Sequence, residues 1–162
     1  MADLIGLLKR LAAAEVDFVL VGGLAAVTHG SSLLTQDVDV CIRLGAENLA
    51  RIQNALKDLK PVHRMSHQER PFSDEPAVLN TFKNIYLDTE IGQLDCLGTI
   101  LGLGDCDAVQ ASSIQIQLGD HTVHVLSIDG LITAKSALNR DRDIEAVKQL
   151  KEIKKRQSPP TI

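Results

Sequence analysis

Asp37-Val38-Asp39 opens the β-branched, alternating stretch "DVDVCIRL", where chemistry first becomes legible in this sequence. Side chains at i and i+2 of a strand project to one face. The two carboxylates therefore converge, with Val38 turned toward the core. Held that close, they repel unless a cation joins them or one takes a proton. Magnesium suits such a pair, because it is a hard ion that binds one or two carboxylates together with phosphate oxygens. Taken alone, the pair reads first as the solvated face of a half-buried strand and second as a metal clamp.

A second feature lies upstream. "DFVLVGG" is a short apolar run ended by Gly22 and Gly23, which reads as a buried strand and a tight turn opening the helix "LAAVTHG". Glycines there let a phosphate approach the backbone, and the start of a helix offers free N–H groups to an anion. A phosphate-holding turn followed by paired carboxylates is more specific than either feature alone.

A hydrophobic strand, Gly22-Gly23, thirteen residues, then Asp37-Val38-Asp39 resembles the signature of the DNA polymerase β-type nucleotidyltransferase superfamily. The small bacterial members, including toxin-type enzymes of toxin–antitoxin pairs, are the similar branch. The resemblance implies a third carboxylate on a later strand, and "GQLDCLG" supplies Asp95 for it. In "IDGLITAKSALNRDRDIEAVKQL", Lys135 and the run Arg140 to Asp143 match the branch's helical end. The implied site has Asp37, Asp39 and Asp95 as catalytic and metal-holding residues. Gly22, Gly23, Lys135 and Asp143 would face the phosphates, and Ser31 and Ser32 would stand in for a motif serine. Asp95 would also be placed to take the proton of an attacking hydroxyl, and Asp143 would equally serve as a helix cap.

The implied reaction moves a nucleoside monophosphate from a nucleoside triphosphate to an acceptor hydroxyl, with two magnesium ions. The acceptor, whether a small molecule, a protein or a tRNA, is not readable. Two positions depart from the signature: Gly23 replaces a common serine, and Leu33 stands where small relatives place an arginine. They motivate the alternative of a non-catalytic nucleotide- or partner-binding module. A phosphohydrolase using the same carboxylates is a third option. A homodimer or a cognate antitoxin is left open as a partner.

The elements that must position these residues follow from periodicity. "ADLIGLLKRLAAAE" reads as an amphipathic helix and "GAENLARIQNALKDLK" as a helix stopped before Pro61. Residues 60–80 lose periodicity and read as one long loop, carrying His63 and His67 as solvated residues and Arg64 and Arg70 as acceptor-facing candidates. His29 falls at a helix end. "TFKNIYLDTEIGQLDCLG" and "IQIQLGDHTVHVLS" read as hairpins, with His121 and His124 on opposite faces of the second. A helical pair closes the chain. The expectation is one mixed α/β domain over 1–156, with a mostly antiparallel sheet, and a flexible tail over 157–162.

Composition narrows the alternatives. A net charge of −4 and 2% aromatic residues give neither a basic footprint for long nucleic acid nor stacking platforms for single strands. The three cysteines form no CxxC pair, which suits free thiols in a reducing compartment. No apolar run has the length of a membrane span and the N-terminus lacks signal-peptide character, so a cytoplasmic location without membrane contact is expected. GxxxxGK[ST], GxGxxG and GxSxG are all missing, which leaves P-loop, Rossmann and serine-hydrolase sites without support.

Overall fold

Leu4, Leu7, Leu8 and Leu11 recur at helical spacing, and α1 (Leu4–Ala13) forms over them. The Asp3 carboxylate caps it, accepting the Gly6 N–H at 2.8 Å. The computed structural model describes residues 2–157. The buried run Phe18–Val21 is β1, and α2 (Gly22–Thr28) starts directly on its paired glycines. The alternating stretch is β2 (Asp37–Ile42), followed by α3 (Ala46–Leu56).

The long loop expected over 60–80 is instead structured in pieces. It contains β3 (Val62–His63), β4 (Arg70–Pro71) and α4 (Pro76–Leu79). These segments are too short to carry a period, so only the sheet edge that receives them reveals them. The first hairpin is β5 (Asn84–Thr89) and β6 (Gly92–Leu97). A two-stranded ribbon of β7 (Thr99–Ile100) and β8 (Gly104–Asp105) leads into a short helix that periodicity did not reveal, α5 (Cys106–Ala111). The second hairpin, β9 (Ser113–Leu118) and β10 (His121–Leu126), precedes the helical pair α6 (Ile128–Leu138) and α7 (Asp141–Gln157). Gln157, assigned to the tail from sequence, ends α7; residues 158–162 of that tail lie outside the described residues.

The eight-stranded sheet runs β4-β3-β5-β6-β2-β1-β10-β9, with β2–β6 and β1–β10 parallel and its other neighbours antiparallel. The fold is thus mixed α/β, as expected, with a mostly antiparallel sheet and a C-terminal helical pair. No helix among the described residues is long and apolar enough to cross a membrane.

One buried apolar cluster holds the sheet. Val38 and Val40 of β2, Leu94 and Cys96 of β6, and Ile85 and Leu87 of β5 join it with Leu7, Leu8 and Leu11 of α1. Each such leucine contributes roughly 2 kcal/mol through burial. The same alternation settles register. A one-residue slip of β2 would turn Asp37 and Asp39 into the core and Val38 and Val40 out of it.

A polar clamp fixes the open ends of β1 and β2. Buried Asn48, on α3, accepts the Asp17 N–H at 2.7 Å and donates to the carbonyls of Asp17 at 3.0 Å and Arg43 at 2.8 Å. Replacing Asn48 by alanine strands the Asp17 N–H and the Arg43 carbonyl, while the Asp17 carbonyl keeps the Arg43 N–H at 3.3 Å. Each costs about 1–3 kcal/mol when left unpaired in the interior. Urea denaturation of Asn48→Ala should therefore show a stability loss of about 2 kcal/mol or more; a loss below about 0.5 kcal/mol would mean that solvent replaces the clamp.

Candidate functional site

Register builds the site. Asp39 of β2 lies opposite Asp95 of β6, and Asp95 lies opposite Tyr86 of β5. Arg64 directly follows β3 and continues that ladder, donating its N–H to the Tyr86 carbonyl at 2.9 Å. Residues directly opposite one another in a sheet share a face. Arg64, Tyr86, Asp95 and Asp39 therefore form one row across four strands. Asp37 lies on the same face, opposite Gln93.

Asp37, Asp39 and Asp95 converge, and each offers a carboxylate oxygen within 4.8 Å of the others. Burial pushes the Asp39 carboxyl up to about 7, reinforced by the neighbouring charges of Asp37 and Asp95 and opposed by Lys135. Asp37 is raised from the ordinary carboxylate range for the same reasons, burial first and the Asp95 charge second, with Arg64 and Arg142 opposing. Arg64 is the one ion-pair partner of this set among the described residues, and a hard divalent cation accepts donors of this kind.

Gly22 is required by the closeness of β1 and β2. Its φ is +70°, and a Cβ there would stand 2.3 Å from Asp39 Oδ2. The glycine thus lets the backbone turn directly beneath the carboxylate. Gly23 has a different reason. A Cβ on it would meet the Thr35 hydroxyl at 2.9 Å, so the place a serine side chain would need is taken by Thr35. Thr35 Oγ1 also donates to the Asp37 carbonyl at 3.2 Å.

The row faces a cleft of about 760 Å³. Its other walls are the loop from Leu33 to Gln36 and the inner sides of α6 and α7. Lys135, in the last turn of α6, and Arg142, in the first turn of α7, line it, and neither forms an ion pair with another described side chain. Leu33, Leu97, Ile100, Leu131 and Leu138 give it an apolar wall.

Three expectations about phosphate-facing residues change. Ser31 and Ser32 do not line the cleft. Ser31 Oγ donates to Gln149 Oε1 at 2.6 Å, and Gln149 Nε2 donates to Ser32 Oγ at 2.9 Å. Both hydroxyls thereby tie the loop to α7, a pairing across more than a hundred residues that local sequence cannot show. Asp143 reaches the cleft wall but is committed elsewhere. Its buried carboxylate accepts from Arg140 Nε at 2.6 Å and from the Arg140 backbone N–H at 3.2 Å, and the guanidinium holds it below the ordinary carboxylate range. It fixes the start of α7, so the capping role, and not phosphate contact, is the one its geometry supports.

Arg64 is the residue that sequence underweighted. One guanidinium nitrogen, Nη2, donates to Asp95 Oδ1, and Nη1 donates to the Leu87 carbonyl at 3.3 Å. The guanidinium carbon lies 5.7 Å from the centre of the Tyr86 ring. His63, expected in solvent, is mostly buried on the opposite side of its strand. It pairs with Asp74 at 2.7 Å, which also pairs with Arg70. Arg70 is thus held by Asp74 rather than turned toward the cleft. Neither His63 nor His67 belongs to a group of three potential metal ligands among the described residues.

No protein-family model matches this sequence, and no curated protein matches it either. Among solved structures, the chain is similar to the crystal structure of JHP933 from Helicobacter pylori, with a TM-score of 0.51 and 16% identity. The match covers 90% of this chain and 63% of that one, so this chain spans less than two thirds of that protein's length. At such identity the likeness is one of fold alone.

The raised Asp39 carboxyl makes a signed prediction. A group whose folded pKa lies above its unfolded value stabilises the fold at low pH, and that contribution is lost as pH rises through the folded value. Asp39→Asn removes the group that is lost. Without added metal, its melting temperature should match wild type near pH 4 and exceed it by roughly 3 °C or more at pH 8. A variant that melts no higher than wild type at pH 8 would show that the carboxylates do not strain one another.

Proposed function

We propose that this chain is a magnesium-dependent nucleotidyltransferase, moving a nucleoside monophosphate from a nucleoside triphosphate to an acceptor hydroxyl. The observation that carries the reading is the convergence of Asp37, Asp39 and Asp95 over the Gly22 turn, in a cleft whose two unpaired cations suit an anionic occupant. The resemblance in sequence to the DNA polymerase β-type superfamily supports the same reading, since its implied third carboxylate is the one the sheet register brings to the pair.

The donor set fits the ion. Three carboxylates without a neutralising charge of their own, apart from Arg64, are oxygen ligands of the type magnesium prefers. When bound, two such ions would stabilise the attacking and leaving oxygens of an in-line displacement at the α-phosphorus. The rest is the chain's work. Asp37, Asp39 and Asp95 would hold the ions. The Gly22-Gly23 backbone gives the phosphates close approach, and the Thr35 hydroxyl beside Gly23 takes the place of the serine seen in many members. Lys135 and Arg142 neutralise phosphate charge from the helical side, while the apolar wall around Leu33 and Leu138 excludes water and offers a surface for a base. The acceptor oxygen attacks, the bond from the α-phosphorus to the bridging oxygen breaks, and pyrophosphate leaves. Asp95 would receive the acceptor proton.

The acceptor class, an antitoxin or a second copy as partner, and a cytoplasmic setting belong to the same proposal. The non-catalytic reading differs in one respect: it keeps nucleotide binding and lacks transfer.

Calorimetry with magnesium and a non-hydrolysable triphosphate should show binding that Asp37→Ala and Asp39→Ala abolish. Transfer of labelled monophosphate should fall at least about a hundredfold in the same variants. Binding without transfer over a broad acceptor panel would select the non-catalytic reading, and free monophosphate as the product would select hydrolysis.

A further inference from the structure

Arg64 presents a puzzle within the proposed site. A divalent cation must share Asp95 with a guanidinium already bonded to it. Two like-signed charges on one carboxylate oppose each other. The surroundings of Arg64 show where the guanidinium can go. Asp88 is two residues beyond Tyr86 on β5 and faces the same side of the sheet. Its side chain is 43% exposed, but Oδ1 itself is buried, has no hydrogen-bond partner among the described residues, and stands 3.7 Å from Arg64 Nη1. A buried carboxylate oxygen without a donor is costly and is seldom left so.

The backbone under Arg64 is held on both sides of the sheet. Its N–H is bonded to Tyr86, and the neighbouring His63 is locked to Asp74 beneath. The side chain therefore moves while the strand stays. The Tyr86 ring lies under the guanidinium, its centre 5.7 Å from the guanidinium carbon.

We propose that Arg64 is a two-position clamp on the carboxylate row: it holds Asp95 while no divalent cation is present, and it transfers to the waiting oxygen of Asp88 when the cation takes Asp95. This rests on the reading of the row as a metal site. Arg64 is a positioning residue that acts through Asp95. In the first position it offsets the repulsion between Asp95 and Asp39 and keeps the row assembled. In the second it completes the Asp88 hydrogen bonds and fixes β5 against β3. The cost of freeing Asp95 is drawn from cation affinity, so the clamp sets how much metal is needed.

The test is Mn²⁺ binding, followed by the free-ion electron paramagnetic resonance signal, on wild type, Arg64→Gln, Arg64→Lys and Asp88→Asn. Thermal melts check that each variant is folded. Arg64→Gln removes the competing cation and should bind Mn²⁺ about tenfold more tightly than wild type, and Arg64→Lys should return most of the way to wild-type affinity. Asp88→Asn leaves Asp95 and Arg64 intact but removes the charged landing point, so it should bind Mn²⁺ more weakly than wild type. If Arg64→Gln fails to fold, Asp88→Asn decides alone. Unchanged or weaker binding in folded Arg64→Gln, or unchanged binding in Asp88→Asn, overturns the clamp while the metal reading stands. Absence of Mn²⁺ binding in wild type and Arg64→Gln alike overturns both.

Discussion

Three carboxylates on one face of a sheet repel each other, and the structure is arranged around keeping them together. Asp39 and Asp95 face each other across a parallel strand pair, and Asp37 follows on the same face. The three carboxylates of that row strain one another, as the raised Asp37 and Asp39 carboxyls attest. What holds it is the other face of the same strands. Val38, Val40, Leu94 and Cys96 are buried there, and they cannot stay buried unless the aspartates point the other way. The apolar gain is far larger than the repulsion of a few partly solvated charges. The core therefore carries the cost of the site.

The surroundings of the row follow from its charge. On one flank Arg64 reaches across Tyr86 to Asp95, and on the other Lys135 and Arg142 approach from the helical pair. The two flanks differ in chemistry. Arg64 is bonded within the sheet, whereas Lys135 and Arg142 have no ion pair among the described residues and face an open cleft. Positive charge that stays unpaired beside a cleft suits an anionic ligand. Asp143 shows the complementary case, since its carboxylate is saturated by Arg140 and serves the start of α7. The same helix ties down the 30–36 loop through Gln149, so the wall of the cleft is assembled from both ends of the chain.

Gly22 and Gly23 illustrate how two adjacent glycines answer different constraints. Gly22 needs its positive φ and its missing Cβ because Asp39 passes directly over it. Gly23 is small because the Thr35 hydroxyl stands against it. Seen in sequence, the second glycine looked like a lost hydroxyl. In the fold, a hydroxyl is present at that spot, supplied from the next strand's approach.

Local patterns carried much of this protein. The alternation of "DVDVCIRL", the paired glycines after an apolar run, the two hairpins and the helical pair are all set by contacts within a few residues, and periodicity reads such contacts directly. So the fold class and the shared face of Asp37 and Asp39 were legible in the chain. Asp95 was legible only through resemblance, because its distance from Asp39 is a matter of strand pairing and no local rule supplies it. Arg64, Thr35, Asp88 and Gln149 were decided by tertiary structure alone. Each matters through a partner far along the chain or through an unpaired atom, and segments as short as β3 carry no period to announce them. Ser31 and Ser32 went the other way: their residue types suited phosphate, and packing against α7 spent their hydroxyls elsewhere. Sequence by itself determined which residue types stood ready for chemistry. Register and helix docking decided which of them meet, because charges and hydroxyls act over a few ångströms and only the folded chain brings them within that range.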